Sequence, residues 1–135
     1  MAGLVLKDNS RRYLAVANNE LEKAIARVTI KVQREALRLV SQHKSPPPSP
    51  ATGDSPPHLD TGTLARSIQS ETWRDRMTGD FFGRVGTNIE YGGKLEEGTS
   101  RMAPRPWLRP ALTSQEKTLK IEVGRALRKA ARRRR

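Results

Sequence analysis

The apolar positions in the first third of the chain predict one long helix. From residue 9 to residue 43 there is neither glycine nor proline, and Asp8, Asn9 and Ser10 can each cap the helix start. Apolar side chains recur there at spacings of three and four residues, which places them on one helix face. This apolar stripe comprises Leu14, Ala17, Leu21, Ala24, Ile25, Val28, Val32, Ala36, Leu39 and Val40. A mixed charged face lies off the stripe and includes Arg27, Lys31, Arg34 and Arg38.

A proline-rich segment follows this helix over residues 44–59. It holds six of the nine prolines in the chain. Proline lacks the backbone N–H that helices and central strands require, so the segment is predicted to be extended. We expect an arm and not a linker, because the chain is too short to hold two domains.

Residues 60–112 are predicted to form a body that contains a sheet. Asp60 or Thr61 can cap a short helical turn at its start. Residues 88–99 favour a short helix or the edge of a strand. The two predicted strands are Gln69–Arg74 and Phe81–Gly86, joined by a turn at Asp75–Asp80.

The last apolar pattern predicts a helix over residues 110–131, followed by an arginine tail at 132–135. Pro110 suits the first turn of this helix, where a missing N–H costs nothing. The apolar stripe consists of Leu112, Leu119, Val123, Ala126, Leu127 and Ala130. These elements predict a single α+β domain over residues 1–135. In it, the long N-terminal helix and the C-terminal helix pack on a small, mainly antiparallel sheet.

The composition leaves little material for a core. Leu, Ile, Val and Phe together make up 27 of the 135 residues, and the aromatic side chains number six. This content is close to the limit below which a highly charged chain cannot bury a stable core. A helix of about 32 residues is also about 48 Å long, more than a domain of this size needs. We therefore expect oligomerisation, with neighbouring subunits completing the core.

The net charge of +12 is concentrated at the C-terminal end. Residues 1–100 hold 14 basic and 12 acidic groups, whereas residues 101–135 hold 12 basic and 2 acidic groups. This asymmetry favours a polyanionic partner, DNA or an acidic protein surface, and the alternative is a solvated basic face. No aromatic side chains are interleaved with the basic residues of 125–135, so contact of this segment with DNA would be to the backbone and insensitive to sequence. The candidate contacts are Arg125, Arg128, Lys129, Arg132, Arg133, Arg134 and Arg135.

The residue types argue against several kinds of site. The chain has no cysteine and only two histidines, so we expect no thiolate nucleophile and no metal centre. Glu96 and Glu97 are adjacent and point in different directions, and no glycine-rich phosphate loop is present. No apolar run approaches the roughly 18 residues of a membrane span, and the start lacks a basic leader. We expect a protein made in the cytoplasm, with no membrane partner, no cofactor and no catalytic residues.

A proline-rich strap precedes the last predicted helix. Its candidate functional residues are Pro104, Pro106, Trp107, Leu108 and Pro110. The prolines restrict the backbone and hold Trp107 and Leu108 at a fixed place. Two interpretations remain open: Trp107 fills the core of its own domain, or the strap crosses to the next subunit. A preorganised strap suits the second role because little entropy is lost on docking.

Two blocks of this sequence resemble a known family. They are Leu59–Ile68 (LDTGTLARSI) and Tyr91–Ala111 (YGGKLEEGTSRMAPRPWLRPA). Together they resemble the small head–tail joining proteins of tailed bacteriophages, the family typified by the gene-10 product of phage HK-97. The resemblance covers about residues 57–112, and the flanking helices agree in placement only. The proline-rich arm and the arginine tail depart from the family pattern.

The resemblance implies a structural virion protein at the head–tail junction, a neck or tail-completion subunit without catalytic residues. It implies a homo-oligomeric ring around the DNA channel, with six subunits favoured over twelve. It also implies contacts with adjacent head-closure or adaptor rings and with the tail terminator or tube. Two alternatives remain: a small basic nucleic-acid-binding protein of ribosomal or chromatin type, and the tail terminator itself.

Overall fold

The computed structural model describes residues 10–41, 62–100 and 103–133. These residues form an α+β fold with a long N-terminal helix, a C-terminal helix and a two-stranded antiparallel sheet, which confirms the predicted fold class. The predicted arm at 44–59 lies outside the described residues. The elements are α1 Ser10–Ser41, α2 Gly62–Ser67, β1 Gln69–Arg74, β2 Phe81–Gly86, α3 Glu90–Glu97, α4 Leu108–Ser114 and α5 Glu116–Arg133.

The central element is α1, which contacts α5 and both strands of the sheet. Arg27 of α1 bonds to Glu122 of α5, and Glu20 bonds to Arg133, so the two helices run antiparallel. Small side chains line their contact and allow a close approach of the helix backbones. These buried alanines are Ala17 and Ala24 on α1 and Ala126 and Ala130 on α5.

The hairpin has the strand bounds that the sequence predicted. Its strands pair from Gln69 with Gly86 to Arg74 with Phe81. The connecting turn is held by the Asp75 side chain, which accepts hydrogen bonds from the backbone N–H groups of Met77 at 2.6 Å and Thr78 at 3.1 Å. Aspartate favours turns because its short side chain can reach these N–H groups.

The core lies where α1 meets the middle of the chain. It is built from aliphatic residues of α1 and from the segments that carry the two motif blocks. Its buried members are Val28, Val32, Ala36, Val40, Leu64, Ile68, Leu95, Trp107 and Ala111. Leu64 belongs to the first block, and Leu95, Trp107 and Ala111 belong to the second. The two blocks therefore pack together as one structural unit.

The C-terminal helix differs from the prediction in two ways. It begins at Leu108, before Pro110, and it is divided into α4 and α5 at Gln115. The residue that α4 buries is Ala111, and Leu112, which was predicted in the apolar stripe, is 58% exposed. Leu119 and Leu127 are also exposed, while Glu122 is buried in the interface with α1. In addition, α5 continues to Arg133 and takes in half of the predicted arginine tail.

Candidate functional site

Trp107 lies in the core of its own chain. Its side chain is 1% exposed, and its indole N–H donates a hydrogen bond of 3.1 Å to the Gly92 carbonyl of α3. A buried indole requires such an acceptor. Of the two interpretations of Trp107, the structure therefore shows the one in which it fills its own domain.

Glu96 explains why α4 begins before the proline. Its Oε2 accepts hydrogen bonds from the backbone N–H groups of Trp107 at 2.7 Å and Leu108 at 2.8 Å. Its Oε1 accepts one from Arg109 at 2.8 Å. The first N–H groups of a helix have no partner within the helix, and a carboxylate there also complements the helix dipole. Glu97 is exposed, and no hydrogen bond of its carboxylate resembles the cap that Glu96 forms among the described contacts.

The rest of the strap is hydrogen-bonded to its own chain, and some of its prolines are exposed. The backbone N–H of Arg105 donates to the Leu95 carbonyl at 2.6 Å. Pro104 and Pro110 are exposed, and Pro106 and Leu108 are half-buried. A role of the strap between subunits stays a prediction, and Pro104, Pro106 and Pro110 are its residues on the surface.

A buried carboxylate of α1 collects cations at the α1–α5 contact. Glu20 is 2% exposed, and its oxygens lie 3.1 Å from Lys129, 3.4 Å from Arg133 and 3.8 Å from Lys23. The hydrogen bond from Lys129 lowers the pKa of Glu20, and the positive charges of Lys129, Lys23 and Arg133 lower it further. Glu20 thus links the two helices near the C-terminal end of α5.

A second buried carboxylate, on α5, forms the reciprocal cluster. Arg27 contacts Glu122 with two nitrogens, Nε at 3.1 Å and a terminal nitrogen at 3.0 Å. Lys31 lies 3.8 Å and Arg125 lies 3.6 Å from the same carboxylate. Each helix therefore supplies one buried glutamate, and each glutamate gathers cations from both helices.

The basic residues that were predicted to contact a polyanion differ in their surroundings. Lys129 and Arg133 bond to Glu20, and Arg125 pairs with Glu122. Arg128 and Arg132 are exposed on α5. Arg134 and Arg135 lie outside the described residues.

Sequence reasoning identified a charged face on α1 that includes Arg27 and Lys31, but it did not predict that this face joins the basic residues of α5. Lys23, Arg27 and Lys31 recur every four residues, so they share a helix face that meets α5. The near-neutral net charge of residues 1–100 gave no indication of a basic surface there, although the four-residue spacing of these cations indicated a shared helix face.

We expect the fold to lose stability in acid through Glu20. Because the folded state lowers the pKa of Glu20 from 4.5, its contribution is present above pH 4.5 and is lost as the pH falls through the folded pKa. Glu20→Gln should lower the melting temperature at pH 7 and reduce its decrease below pH 4.5. Thermal unfolding followed by circular dichroism across this range measures both effects. Glu22→Gln, at an exposed position of the same helix, should follow the wild-type curve, and identical curves for all three proteins would contradict the expectation.

The described residues expose several apolar side chains, and two groups of them form surfaces that another molecule could contact. One is a groove of about 310 Å³ between α1, β2 and the α4–α5 segment. Its lining includes Ile25, Val32, Val85, Leu112 and Leu119.

The second apolar surface is the outer face of the hairpin. Trp73 and Phe82 stack there with ring centroids 5.3 Å apart, and Trp73 is 43% exposed. The Arg84 guanidinium lies 5.5 Å from the Trp73 ring centroid. At the hairpin tip, Met77 is 94% exposed. The hairpin thus carries a small apolar patch, formed by Trp73, Phe82 and Met77, that is separate from the groove.

Within the described residues, no group of three or more histidine, cysteine, aspartate or glutamate side chains is arranged to hold a metal ion. None of the described helices is long and apolar enough to span a membrane. Comparison of the chain with protein-family models, curated proteins and solved structures gives no match.

Proposed function

We propose that this chain is a structural virion protein of a tailed bacteriophage, a neck subunit that forms a ring at the head–tail junction. The ring joins the portal side of the head to the tail and surrounds the DNA channel, and the subunit performs no catalysis. The observation that carries the proposal is the presence of two different apolar patches, the groove beside α1 and the Trp73–Phe82 stack of the hairpin, on a chain of 135 residues. The resemblance of the two motif blocks to the phage family supports it.

The two surfaces fit a head-to-tail contact between copies of this chain. In such a contact the hairpin of one subunit occupies the groove of the next, so two different patches meet. Contacts of this kind close into rings when the rotation between subunits allows it. The groove has Leu112 and Leu119 on its rim, and the hairpin offers Trp73, Phe82 and Met77 as apolar anchors. Buried aromatic anchors carry much of the binding energy in protein interfaces.

The motif blocks support a structural role in a second way. Leu64, Leu95 and Trp107 are buried, and Glu96 holds the start of α4. The side chains that carry the resemblance thus maintain the fold. The partners of such a ring are the adjacent head-closure or adaptor ring and the tail terminator or tube.

The ring is tested by electron microscopy and mass photometry of the purified chain. We expect wild-type rings, which Leu112→Asp in the groove and Phe82→Asp on the hairpin each abolish while the fold is kept. Leu14→Asp, at an exposed leucine outside both surfaces, is the matched control and should form rings.

Mixing the two interface variants sharpens the test. The Phe82→Asp subunit keeps an intact groove and the Leu112→Asp subunit keeps an intact hairpin, so the mixture should form a dimer that cannot extend. A wild-type chain that stays monomeric at all concentrations and is absent from virions would overturn the proposal. Rings that persist in both variants would overturn the assigned contact.

A second candidate function is a small basic nucleic-acid-binding protein. The observation that favours it is the accumulation of cations along α1 and α5. Tight DNA binding by a chain that forms no ring would favour this candidate. The tail terminator, the remaining alternative, differs from the proposal only in its position within the neck.

A further inference from the structure

The cations of α1 and α5 form one continuous surface, the two-helix basic face. The ion pairs around Glu20 and Glu122 bring the basic rows of both helices together. Arg34 and Arg38 continue the α1 row, and Arg128 and Arg132 continue the α5 row, at helical spacings of three and four. The face comprises ten cations, namely Lys23, Arg27, Lys31, Arg34 and Arg38 of α1 with Arg125, Arg128, Lys129, Arg132 and Arg133 of α5.

This face keeps a large excess of positive charge. Three carboxylates accompany the ten cations, Glu20 and Glu122 in the helix contact and Glu35 beside Arg38, which leaves a net charge of +7. The buried glutamates hold the neighbouring cations in place without neutralising the surface. The alanines between the helices keep the two rows close together.

From these features we infer that the two-helix basic face binds the phosphate backbone of double-stranded DNA. Seven of its ten cations are arginine, whose guanidinium matches phosphate in a forked geometry. The α1 row from Lys23 to Arg38 extends over about 22 Å, roughly the length of six base pairs at ~3.4 Å each. Both rows belong to packed helices, so little order has to be created on binding.

Nucleic acid fits this face better than an acidic protein does. The described residues of the face include no aromatic side chain, and aromatic anchors are typical of the centres of protein interfaces. The absence of aromatic side chains also argues against base stacking, so binding by this face should not depend on sequence.

The basic face and the groove use different sides of α1. Ile25 and Val32 face the groove, whereas Arg27 and Lys31 face Glu122 of α5. A ring built through the groove and hairpin therefore leaves the basic face free to meet DNA. The inference names the DNA-binding surface of the proposed neck subunit and rests on that function for its biological setting, while the binding itself does not require a ring.

The test is fluorescence anisotropy of the full chain with labelled 20-base-pair duplexes of two unrelated sequences, at 50–200 mM KCl. With six phosphates engaged, the log–log plot of affinity against salt should have a slope of about −5. Affinities for the two sequences should agree within about twofold. Arg34→Gln and Arg128→Gln should each reduce the magnitude of this slope by about 1. Arg74→Gln, which makes the same charge change on the hairpin, should leave the slope unchanged.

Three outcomes would overturn the inference: a slope near zero, equal effects of Arg34→Gln and Arg74→Gln, or a polyglutamate peptide that competes as well as duplex DNA. The last outcome would indicate an acidic protein partner. Repeating the titration with the ring-deficient Leu112→Asp chain separates the two proposals. Salt-dependent DNA binding by that monomer supports the inference about the basic face whether or not the wild-type chain forms rings. Loss of DNA binding by the folded monomer would overturn the inference.

Discussion

Replacing Trp107 with alanine is expected to lower the free energy of unfolding by about 3–5 kcal/mol. The side chain is almost fully buried among Leu64, Leu95 and Ala111, so its removal leaves a cavity. The substitution also leaves the Gly92 carbonyl without its hydrogen bond from the indole. Urea denaturation followed by circular dichroism at 222 nm measures the change without depending on tryptophan fluorescence.

Trp73→Ala is the matched control for this experiment. Trp73 is half-exposed, and its replacement removes only the stacking on Phe82 and the contact with Arg84. We therefore expect the free energy of unfolding to fall by about 1 kcal/mol. In the proposed ring, Trp73→Ala should instead weaken assembly. A Trp107→Ala chain of normal stability that fails to assemble would show that Trp107 acts between subunits, contrary to its place in the core.

Local patterns predicted the hairpin and α1 well. The strand bounds follow from two short segments, QSETWR and FFGRVG, on either side of a turn. Asp75 holds that turn through contacts two and three residues along the chain. In α1, apolar residues recur at spacings of three and four over a helix of 32 residues. Both elements depend on interactions within a few residues, which a sequence records directly.

The contacts that sequence reasoning missed join distant parts of the chain. Glu96 caps α4 across 11 to 13 residues, and this cap moves the helix start to Leu108. Arg27 reaches Glu122 across 95 residues, and Arg133 reaches Glu20 across 113. Nothing in the local pattern around Glu20 or Glu122 distinguishes them from solvent-exposed glutamates. Their burial depends on how α5 packs on α1.

The basic residues that lie together in the fold are not the ones that lie together along the sequence. Along the sequence, the basic excess belongs to residues 101–135. In the fold, Lys23, Arg27 and Lys31 of α1 lie beside it, and Lys129 and Arg133 are partly engaged by Glu20. The surface available to a polyanion is therefore wider than the predicted tail, and it is carried by two packed helices.

Replacing each of the two adjacent glycines of α3, Gly92 and Gly93, with alanine is expected to change the stability of the fold in opposite directions. A Cβ at Gly92 would lie 2.5 Å from Thr87 Cγ2 and 2.8 Å from Leu64 Cδ1, and 3.4 Å from the Trp107 ring. Overpacking of this kind costs about 1–3 kcal/mol. At Gly93 the same Cβ would meet nothing within 4 Å, so Gly93→Ala should stabilise the helix by up to about 1 kcal/mol.

The Gly92→Ala and Gly93→Ala pair separates packing from helix propensity, because both substitutions add one methyl group to the same helix. Urea denaturation of the two variants should therefore give midpoints on opposite sides of the wild type. A Gly92→Ala chain as stable as Gly93→Ala would mean that α3 can move away from Leu64 and Trp107 at little cost. The close packing of the two motif blocks would then not be the reason for glycine at position 92.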